Sequence, residues 1–383
     1  MDRILLVRLG ALGDLVHGLP VAAALRRAWP DAQIDWLVSA KHQELLGLVP
    51  VIDHVIAVND LTRKRTEEYN AIATELGGHV KFALVNSDKS FEDIVRASAG
   101  GIAITTPVYR AIREGLINDL VQKVPTIKLV QAASAGTDRF DKKRLAELGC
   151  AVANHGGANA VAVAEHAIAL MFGISRKFHK QMADVRAGLW NSEITALPIP
   201  EFRTLVGKQV GIIGLGNVGS RIAKRLQGWE CNVVFHDVRT FDDAYVAAAG
   251  AKPMPLDQLL ATSDIVSVNV PLERTTRYLI SDRELALMKP TAILINTARG
   301  PVVEEAALVR ALRNRQILGA GLDVTEKEPI DLENPLFGFD NVILTPHMAT
   351  RALESDLNTL RFVVANIDRL ARGEALQSVV LPV

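Results

Sequence analysis

The sequence predicts an α/β protein built from doubly wound parallel sheets, and three observations carry that expectation. Short apolar runs of strand length alternate with segments of helical periodicity through most of the 383 residues, the pattern that successive βαβ units produce. A glycine-rich turn, GLGNVG at 214–219, follows one such run and opens one such helical segment. The chain is also longer than one hydrophobic core fills, since single cores stop growing near about 250–300 residues, so two or three domains are expected.

Residues 1–58 read as a first, partial α/β segment. MDRILLVRLGALGD is a strand followed by a glycine-containing turn, LPVAAALRRAWPDA a helix, and QIDWLVSA and HVIAV further strands. TRKRTEEYNAIATEL then has helical spacing. A second α/β set occupies 79–155, with strands HVKFALVN, GIAIT, IKLVQAA and CAVAN. Its helices are SFEDIVRAS, a stretch over 109–120, and DKKRLAELG. VAVAEHAIALMFGISRKF reads as a long amphipathic helix linking this set to a third that begins near residue 208.

In the third set KQVGIIG is a buried strand, NVGSRIAKRLQGW a helix with Val218, Ile222 and Leu226 on one face, and CNVVFHD a second strand. LDQLLATSD, SDRELALMK and EEAALVRALRNRQ are helices interleaved with the strands DIVSVNVP, AILINTARG, ILGAGLDV and NVILTPH. Ser281 and Glu284 have the spacing of a capping box. The helical SDLNTLRFVVANIDRLA closes the chain by returning to the second set. The expected domains are therefore 1–58; 59–155 together with 348–383, a substrate domain; and 156–347, a dinucleotide-binding domain.

Composition narrows the function. Forty-three basic residues balance 43 acidic ones, which argues against nucleic acid as the main partner, because phosphate binding wants a basic surplus. Two cysteines, Cys150 and Cys231, make neither a disulfide framework nor a cysteine-rich metal site, so no metal is expected. Cys231, His155 and His166 read as structural. No apolar stretch of the ~18 residues a membrane helix needs is present. Charges at Asp2, Arg3, Arg8 and Asp14 interrupt the apolar N-terminus, which suits a secretory signal poorly. A cytoplasmic protein is expected.

GLGNVG is the sharpest motif. A lone G-x-G-x-x-G is weak, but one between a strand and a helix is the dinucleotide fingerprint of a Rossmann-like domain. Gly214 permits the tight turn, Gly216 lets backbone approach a pyrophosphate at the helix N-terminus, and Gly219 allows close helix–strand packing. Asp237 ends the next strand, where a carboxylate accepts hydrogen bonds from ribose hydroxyls and favours NAD over NADP. Arg239, two positions on, softens that preference.

Ligands of open α/β sheets sit beyond the carboxyl ends of the strands. Those ends carry Val270 and Pro271; Thr297, Ala298 and Arg299; Asp323, with Glu328 beyond; and His347. Singly, Arg299, Glu328 and His347 read as surface charges or a helix cap. Together on one rim with a dinucleotide motif they fit carbonyl reduction. A histidine, titrating near ~6.5, donates a proton to the developing alkoxide. A carboxylate holds the imidazole, and a guanidinium grips a substrate carboxylate through its planar fork. The substrate implied is a 2-oxo or 2-hydroxy acid.

These stretches resemble the D-isomer-specific 2-hydroxyacid dehydrogenase family. VGIIGLGNVGSRIA, NVPLERTTRYLI, MKPTAILINTARGPVVEEAALVRAL, GAGLDVTEKEP and NVILTPH carry the likeness, as do VPTIKLVQAASAGTDRFD and NAVAVAEHAIALM, and it covers about residues 60–383. The resemblance implies two doubly wound domains, Rossmann-like and flavodoxin-like. It implies an NAD-dependent oxidoreductase similar to glyoxylate and hydroxypyruvate reductases. Arg299 would bind substrate, Glu328 would orient the imidazole, and His347 would be the acid/base. It also implies cofactor contacts at Asn217, Val218, Asp237, Val270, Pro271, Thr276, Thr297, Ala298 and Asp323. Backbone N–H groups at Thr105 and Thr106 would meet the substrate carboxylate. A homodimer formed through the cofactor domain follows from the same likeness. Related formate dehydrogenases carry Gln in place of Glu328, which favours a hydroxyacid enzyme. After His347 the chain reads Met348-Ala349-Thr350, without the glycine often found there.

The N-terminus departs from that family. ILLVRLGALGDLVHGLPVAAALRRAWPDAQIDWLV is similar to the start of lipopolysaccharide heptosyltransferases, in which the acid at the place of Asp14 is a proposed base. The two likenesses join at residues 54–66. Two alternatives to a dehydrogenase follow: a non-enzymatic NAD(H)-sensing corepressor-like protein, and a glycosyltransferase fusion.

Overall fold

The computed structural model describes residues 3–7, 33–39, 54–58, 60–83, 90–106, 116–190 and 202–381. They fall into two compact units, one of residues 1–99 with 106–112, the other of 100–105 with 113–383. Asp14 and the helix expected at 19–32 lie outside the described residues.

In the first unit, strands β1 (Arg3–Val7), β2 (Gln33–Ser39) and β3 (His54–Val58) pair in parallel in the order β1-β2-β3. Helix α1 (Asp60–Glu75) follows, and α2 (Phe91–Ala97) starts at the cap Ser90, whose hydroxyl accepts the Asp93 N–H. The strand expected at HVKFALVN is absent over 79–83, and 84–86 lie outside the described residues. Asn70 explains the difference. Its side chain donates to the Phe82 carbonyl at 2.9 Å and accepts the Phe82 N–H at 2.7 Å. A sheet ladder would have used those two backbone groups. Phe82 also stacks on Tyr69, with ring centroids 4.8 Å apart.

The second unit holds two sheets. The smaller has the order β4 (Ala103–Thr106, the last residue falling to the first unit), β5 (Leu129–Ala132) and β6 (Ala151–Ala153). Helices α3 (Leu116–Lys123) and α4 (Lys142–Glu147) lie between its strands in sequence. The larger sheet has seven parallel strands: β7 (Gln209–Ile213), β8 (Asn232–His236), β9 (Lys252–Pro253), β10 (Ile265–Val268), β11 (Ile293–Asn296), β12 (Gly319–Leu322) and β13 (Val342–Leu344). Their order is β13-β12-β11-β10-β7-β8-β9. Winding reverses between β7 and β10, so a crevice opens there beyond the strand ends.

Strand residues are buried on both faces, which is why they read as continuous apolar runs. Ile265, Ile293 and Ile295 face helices α5 (Ala160–Ser175) and α7 (Asn217–Leu226), while Val266, Val268 and Leu294 face α9 (Leu256–Thr262), α10 (Asp282–Leu287) and α11 (Glu305–Arg313). Each such side chain contributes roughly 1.5–3 kcal/mol through burial. The Ser281–Glu284 capping box is present at α10. Helix α8 (Asp243–Ala249) completes the β8–β9 crossover.

Helix α5 carries a wide buried face, on which Val163, Ala164, Ala167, Ile168, Leu170, Met171 and Ile174 lie, and a narrow exposed stripe of Val161, Glu165 and Ala169, where Glu165 pairs with Arg225 at 3.0 Å. The buried face packs against α7 and the β11–β13 edge. The chain does not continue helically to Phe178. Lys177 turns into the left-handed region at φ 52° and starts the separate helix α6 (Phe178–Arg186).

The C-terminal helix α12 (Leu353–Ala371) packs on β5. A buried amide pair, Asn366 Nδ2 donating to Gln131 Oε1 at 2.6 Å, ties the two together. The segment after α12 adds a last rung, with the Val380 N–H donating to the Val152 carbonyl. No helix of the described residues is long and apolar enough to cross a membrane.

His155, just after β6, is 1% exposed. Burial pushes its pKa down from its ordinary 6.5 to about 4. The unfolded chain therefore binds a proton there between pH 6.5 and 4 that the folded chain refuses. Stability is complete above pH 6.5 and falls as pH drops through that window, by on the order of 3 kcal/mol from this group. Urea melts at pH 7 and pH 4.5 should show the loss, and His155→Gln should flatten the pH dependence. An unchanged slope in the variant would exclude this group.

Candidate active site

The glycine turn is built for close approach. Gly214 leaves β7 at φ +93°, where a side chain would be strained, and a Cβ there would lie 2.9 Å from Val270. A Cβ on Gly219 would lie 2.0 Å from the Gly214 carbonyl oxygen, so α7 can pack this near only as glycine. At Gly216 the nearest atom to such a Cβ is Arg239 Nη2, at 3.2 Å. No side chain caps the start of α7, which leaves the N–H groups of the first turn, Asn217 and Val218 included, available to a phosphate.

Asp237 follows β8. Its Oδ2 accepts the Leu215 N–H at 2.8 Å and its Oδ1 accepts the Arg239 N–H at 2.9 Å. Burial works to raise its pKa, but the hydrogen bonds from Arg239 and Leu215 prevail and hold the carboxyl below the usual range. Beyond β10 lie Val270 and Pro271. The Thr276 hydroxyl donates to the Pro271 carbonyl and accepts the Glu273 N–H, so it closes its own turn. Two polar atoms on this rim, Asn269 Oδ1 and Thr297 Oγ1, are buried without a partner among the described residues. A glycine cradle, a ribose-height carboxylate and unpartnered polar atoms at the switch point fit a dinucleotide.

Beyond β11 the buried Asn296 sets the path. Its Oδ1 accepts the Ala298 N–H and its Nδ2 donates to the Arg299 carbonyl, both at 3.0 Å. That turn presents Arg299. The guanidinium donates from Nη1 to the Ala298 carbonyl at 2.7 Å and from Nε to Asp138 Oδ1 at 3.3 Å. Gly300 follows, and a Cβ there would collide with the Thr325 carbonyl. The loops after β11 and β12 thus touch backbone to backbone.

Beyond β12, Asp323 is 1% exposed and fully engaged. Oδ1 accepts from the Thr345 hydroxyl at 2.6 Å and the Met348 N–H at 2.9 Å, and Oδ2 accepts the Ala349 N–H at 2.8 Å. This knot, with the His347 N–H on the Asp323 carbonyl at 2.8 Å, holds His347 at φ +54°, a conformation few non-glycine residues adopt. His166 of α5 lies 2.9 Å from the Thr345 hydroxyl and so touches the same knot.

His347 Nδ1 lies 2.7 Å from Glu328 Oε2, and the Thr325 N–H donates to the other oxygen at 3.3 Å. Burial acts to raise the Glu328 pKa, but the His347 hydrogen bond and charge, with help from Thr325 and the Arg299 charge, hold it below the usual carboxylate range. Glu328 is therefore ionised at neutral pH, and the other imidazole nitrogen of His347 is left for a reacting oxygen. The Thr105 hydroxyl is buried without a partner among the described residues, and the Thr106 side chain lies outside them. Sequence reasoning missed Asp138, Asn296 and the contact of His166. The TDRFD stretch was the visible signal for Asp138.

The fold and this rim define a dinucleotide-dependent dehydrogenase. Residues 168–349 match the D-isomer specific 2-hydroxyacid dehydrogenase, NAD binding domain. A glyoxylate reductase of Thermofilum pendens is 36% identical over 259 residues, 67% of this chain and 75% of that protein. One from Pyrococcus furiosus is 36% identical over 265 residues, 69% of this chain and 78% of that one. Among solved structures, Rhodotorula graminis D-mandelate dehydrogenase is similar with a TM-score of 0.69 at 30% identity, covering 76% of this chain and 88% of its own. A glyoxylate reductase from Paecilomyes thermophila gives 0.65 at 27% identity, covering 91% and 98%. The chain belongs to the D-isomer specific 2-hydroxyacid dehydrogenases. It is an NAD-dependent oxidoreductase acting on CH–OH groups.

Proposed function

We propose that the chain reduces a small 2-oxo acid, of the size of glyoxylate or hydroxypyruvate, to the D-2-hydroxy acid and runs the reverse oxidation. The observation that carries this reading is the 2.7 Å pair of His347 with an ionised Glu328, on the rim that also presents Arg299. A dinucleotide whose pyrophosphate lies in the glycine cradle would, when bound, supply the hydride from its reduced nicotinamide. Gly214, Gly216, Asn217, Val218 and Gly219 hold the pyrophosphate side and Asp237 the ribose. Val270, Pro271, Thr297 and Ala298 line the approach to the nicotinamide. Asp323 and Thr276 act through the loops they fix.

Arg299 grips the substrate carboxylate and the neighbouring carbonyl oxygen, its fork aimed by Asp138 and the Ala298 carbonyl. The N–H of Thr105, in the same unit as Arg299, meets the other carboxylate oxygen. His347, protonated and oriented by Glu328, delivers its proton to the carbonyl oxygen as charge develops there. In oxidation the same nitrogen removes it. In this reading the β4–β6 sheet with α12 is the substrate lobe.

A panel of glyoxylate, hydroxypyruvate, pyruvate and phenylpyruvate with NADH, followed at 340 nm, tests the proposal. Turnover of at least one is expected. Tight NADH binding with no turnover of any would leave only an NAD-sensing role.

The same reading includes a homodimer through the cofactor domain. Phe178, Met182 and Val185 lie along one face of α6 and are about half exposed, at 49%, 55% and 49%. An apolar stripe of that kind marks a partner surface, and a second copy supplies the matching stripe. Sedimentation equilibrium should give a dimer, and a monomer at micromolar concentration would refute it.

A further inference from the structure

The loop that carries Glu328 is held from outside. It leaves β12 at Asp323 and reaches Glu328 through Thr325 and Glu326, without helix or strand. Two hydrogen bonds tie it to the start of α11. The Glu305 N–H donates to Glu326 Oε1 at 2.7 Å, and the Glu326 N–H donates to Glu305 Oε2 at 3.1 Å. Each glutamate side chain thus takes the other's backbone, and two segments 21 positions apart are clasped.

Helix α11 supplies a reason for the clasp. Its cap residue, Glu304, makes no side-chain cap, and the first N–H groups of a helix have no partner within it. Glu326 comes from another loop to accept one of them, with its charge at the positive end of the helix dipole. The two other carboxylate oxygens are used as well. Asn334 Nδ2 donates to Glu305 Oε1 at 2.7 Å, and the Tyr278 hydroxyl to Glu326 Oε2 at 3.4 Å. Asn334 is itself fixed, because its Oδ1 accepts the Leu336 N–H at 2.9 Å. Four oxygens therefore meet four different donors, all neutral. Such bonds specify direction more than they add attraction. Two residues further on, the Glu328 carboxylate meets His347 Nδ1 at 2.7 Å. Where that carboxylate can reach depends on where its backbone stands, and the clasp fixes the backbone.

We propose that Glu326 and Glu305 are positioning residues for the acid/base step: their reciprocal clasp sets the loop at the place from which Glu328 meets His347. The inference rests on the roles proposed above for Glu328 and His347. With the clasp closed, Glu328 keeps the imidazole oriented and favours its protonated form. With the clasp open, the loop backs away, the carboxylate pairs with His347 for less of the time, and the imidazole gives up its proton more readily.

The pH profile of kcat/KM for 2-oxo acid reduction, recorded with NADH for a set of variants, tests this. Glu326→Ala should lower kcat by about 10- to 100-fold, the loss that a small misplacement of a catalytic group causes. Its NADH affinity should stay within about twofold, and the basic limb of its profile should move down by about half a pH unit or more. Glu326→Gln keeps an oxygen for the Glu305 N–H and should stay near wild type. Glu326→Ala added to Glu328→Ala should cost almost nothing more, since a residue that acts through Glu328 has nothing left to position. An NMR titration of the His347 imidazole should show the same downward movement in Glu326→Ala, and it needs no turnover. Failure of the wild-type chain to reduce any 2-oxo acid would therefore sink the proposed reaction and leave the clasp to be judged by the titration. An unmoved basic limb and titration in Glu326→Ala would overturn the inference. So would losses that add in the double variant, or a Gln variant as poor as the Ala one.

Discussion

His347→Ala lowers kcat for 2-oxo acid reduction by ~10²–10⁴-fold, the contribution typical of general acid–base catalysis, while NADH affinity stays within about twofold. The reasoning is local. Removing the imidazole leaves Glu328 with the Thr325 N–H as partner, and it leaves no group to protonate the forming alkoxide. The loop itself survives, because Asp323 holds it through Thr345, Met348 and Ala349 and not through the His347 side chain. Steady-state kinetics beside a cofactor titration separates the two effects. An unchanged kcat removes His347 from the mechanism, and a parallel loss of NADH binding would mean that the loop had collapsed.

Arg299→Ala has the second large effect, a loss of about 10²–10³-fold in kcat/KM carried mostly by KM. Removing one member of a hydrogen-bonded charge pair costs about 2–5 kcal/mol, and here the substrate carboxylate loses its partner. Asp138 loses its own as well, and a half-buried acid then faces an anionic substrate. Arg299→Lys should recover little, because an ammonium keeps the charge without the planar fork. A variant whose KM for every 2-oxo acid stays within threefold of wild type would place substrate binding elsewhere.

Much of this was legible in the sequence for a physical reason. Strands buried on both faces, such as β7, β10 and β11, read as unbroken apolar runs, and parallel topology sends every strand end to the same rim. The strand ends that carry Arg299, Glu328 and His347 are therefore legible from the sequence as one rim, where His347 and Glu328 meet at 2.7 Å. What escaped depends on partners distant in sequence. Asp138 meets Arg299 across 161 positions, and Asn366 meets Gln131 across 235. No local periodicity records such pairs. The stretch 79–83 failed as a strand because Asn70, a residue of the preceding helix, takes the backbone groups of Phe82. Helix α5 read too long because nothing local in GISRKF announces that Lys177 turns into the left-handed region.

The buried Asn366–Gln131 pair also bears on the order in which the chain folds as it leaves the ribosome. The seven-stranded sheet is contiguous in sequence, from Gln209 to Leu344, and has all its strands once that span has emerged. The sheet of β4, β5 and β6 is translated earlier, yet it lacks the cover of α12 and the partner of Gln131 until residues 353–371 appear. Domains commonly complete in the order of synthesis. Here the earlier-made sheet finishes later, and a chain cut short after His347 would carry the whole dinucleotide cradle together with a β4–β6 sheet whose core is open.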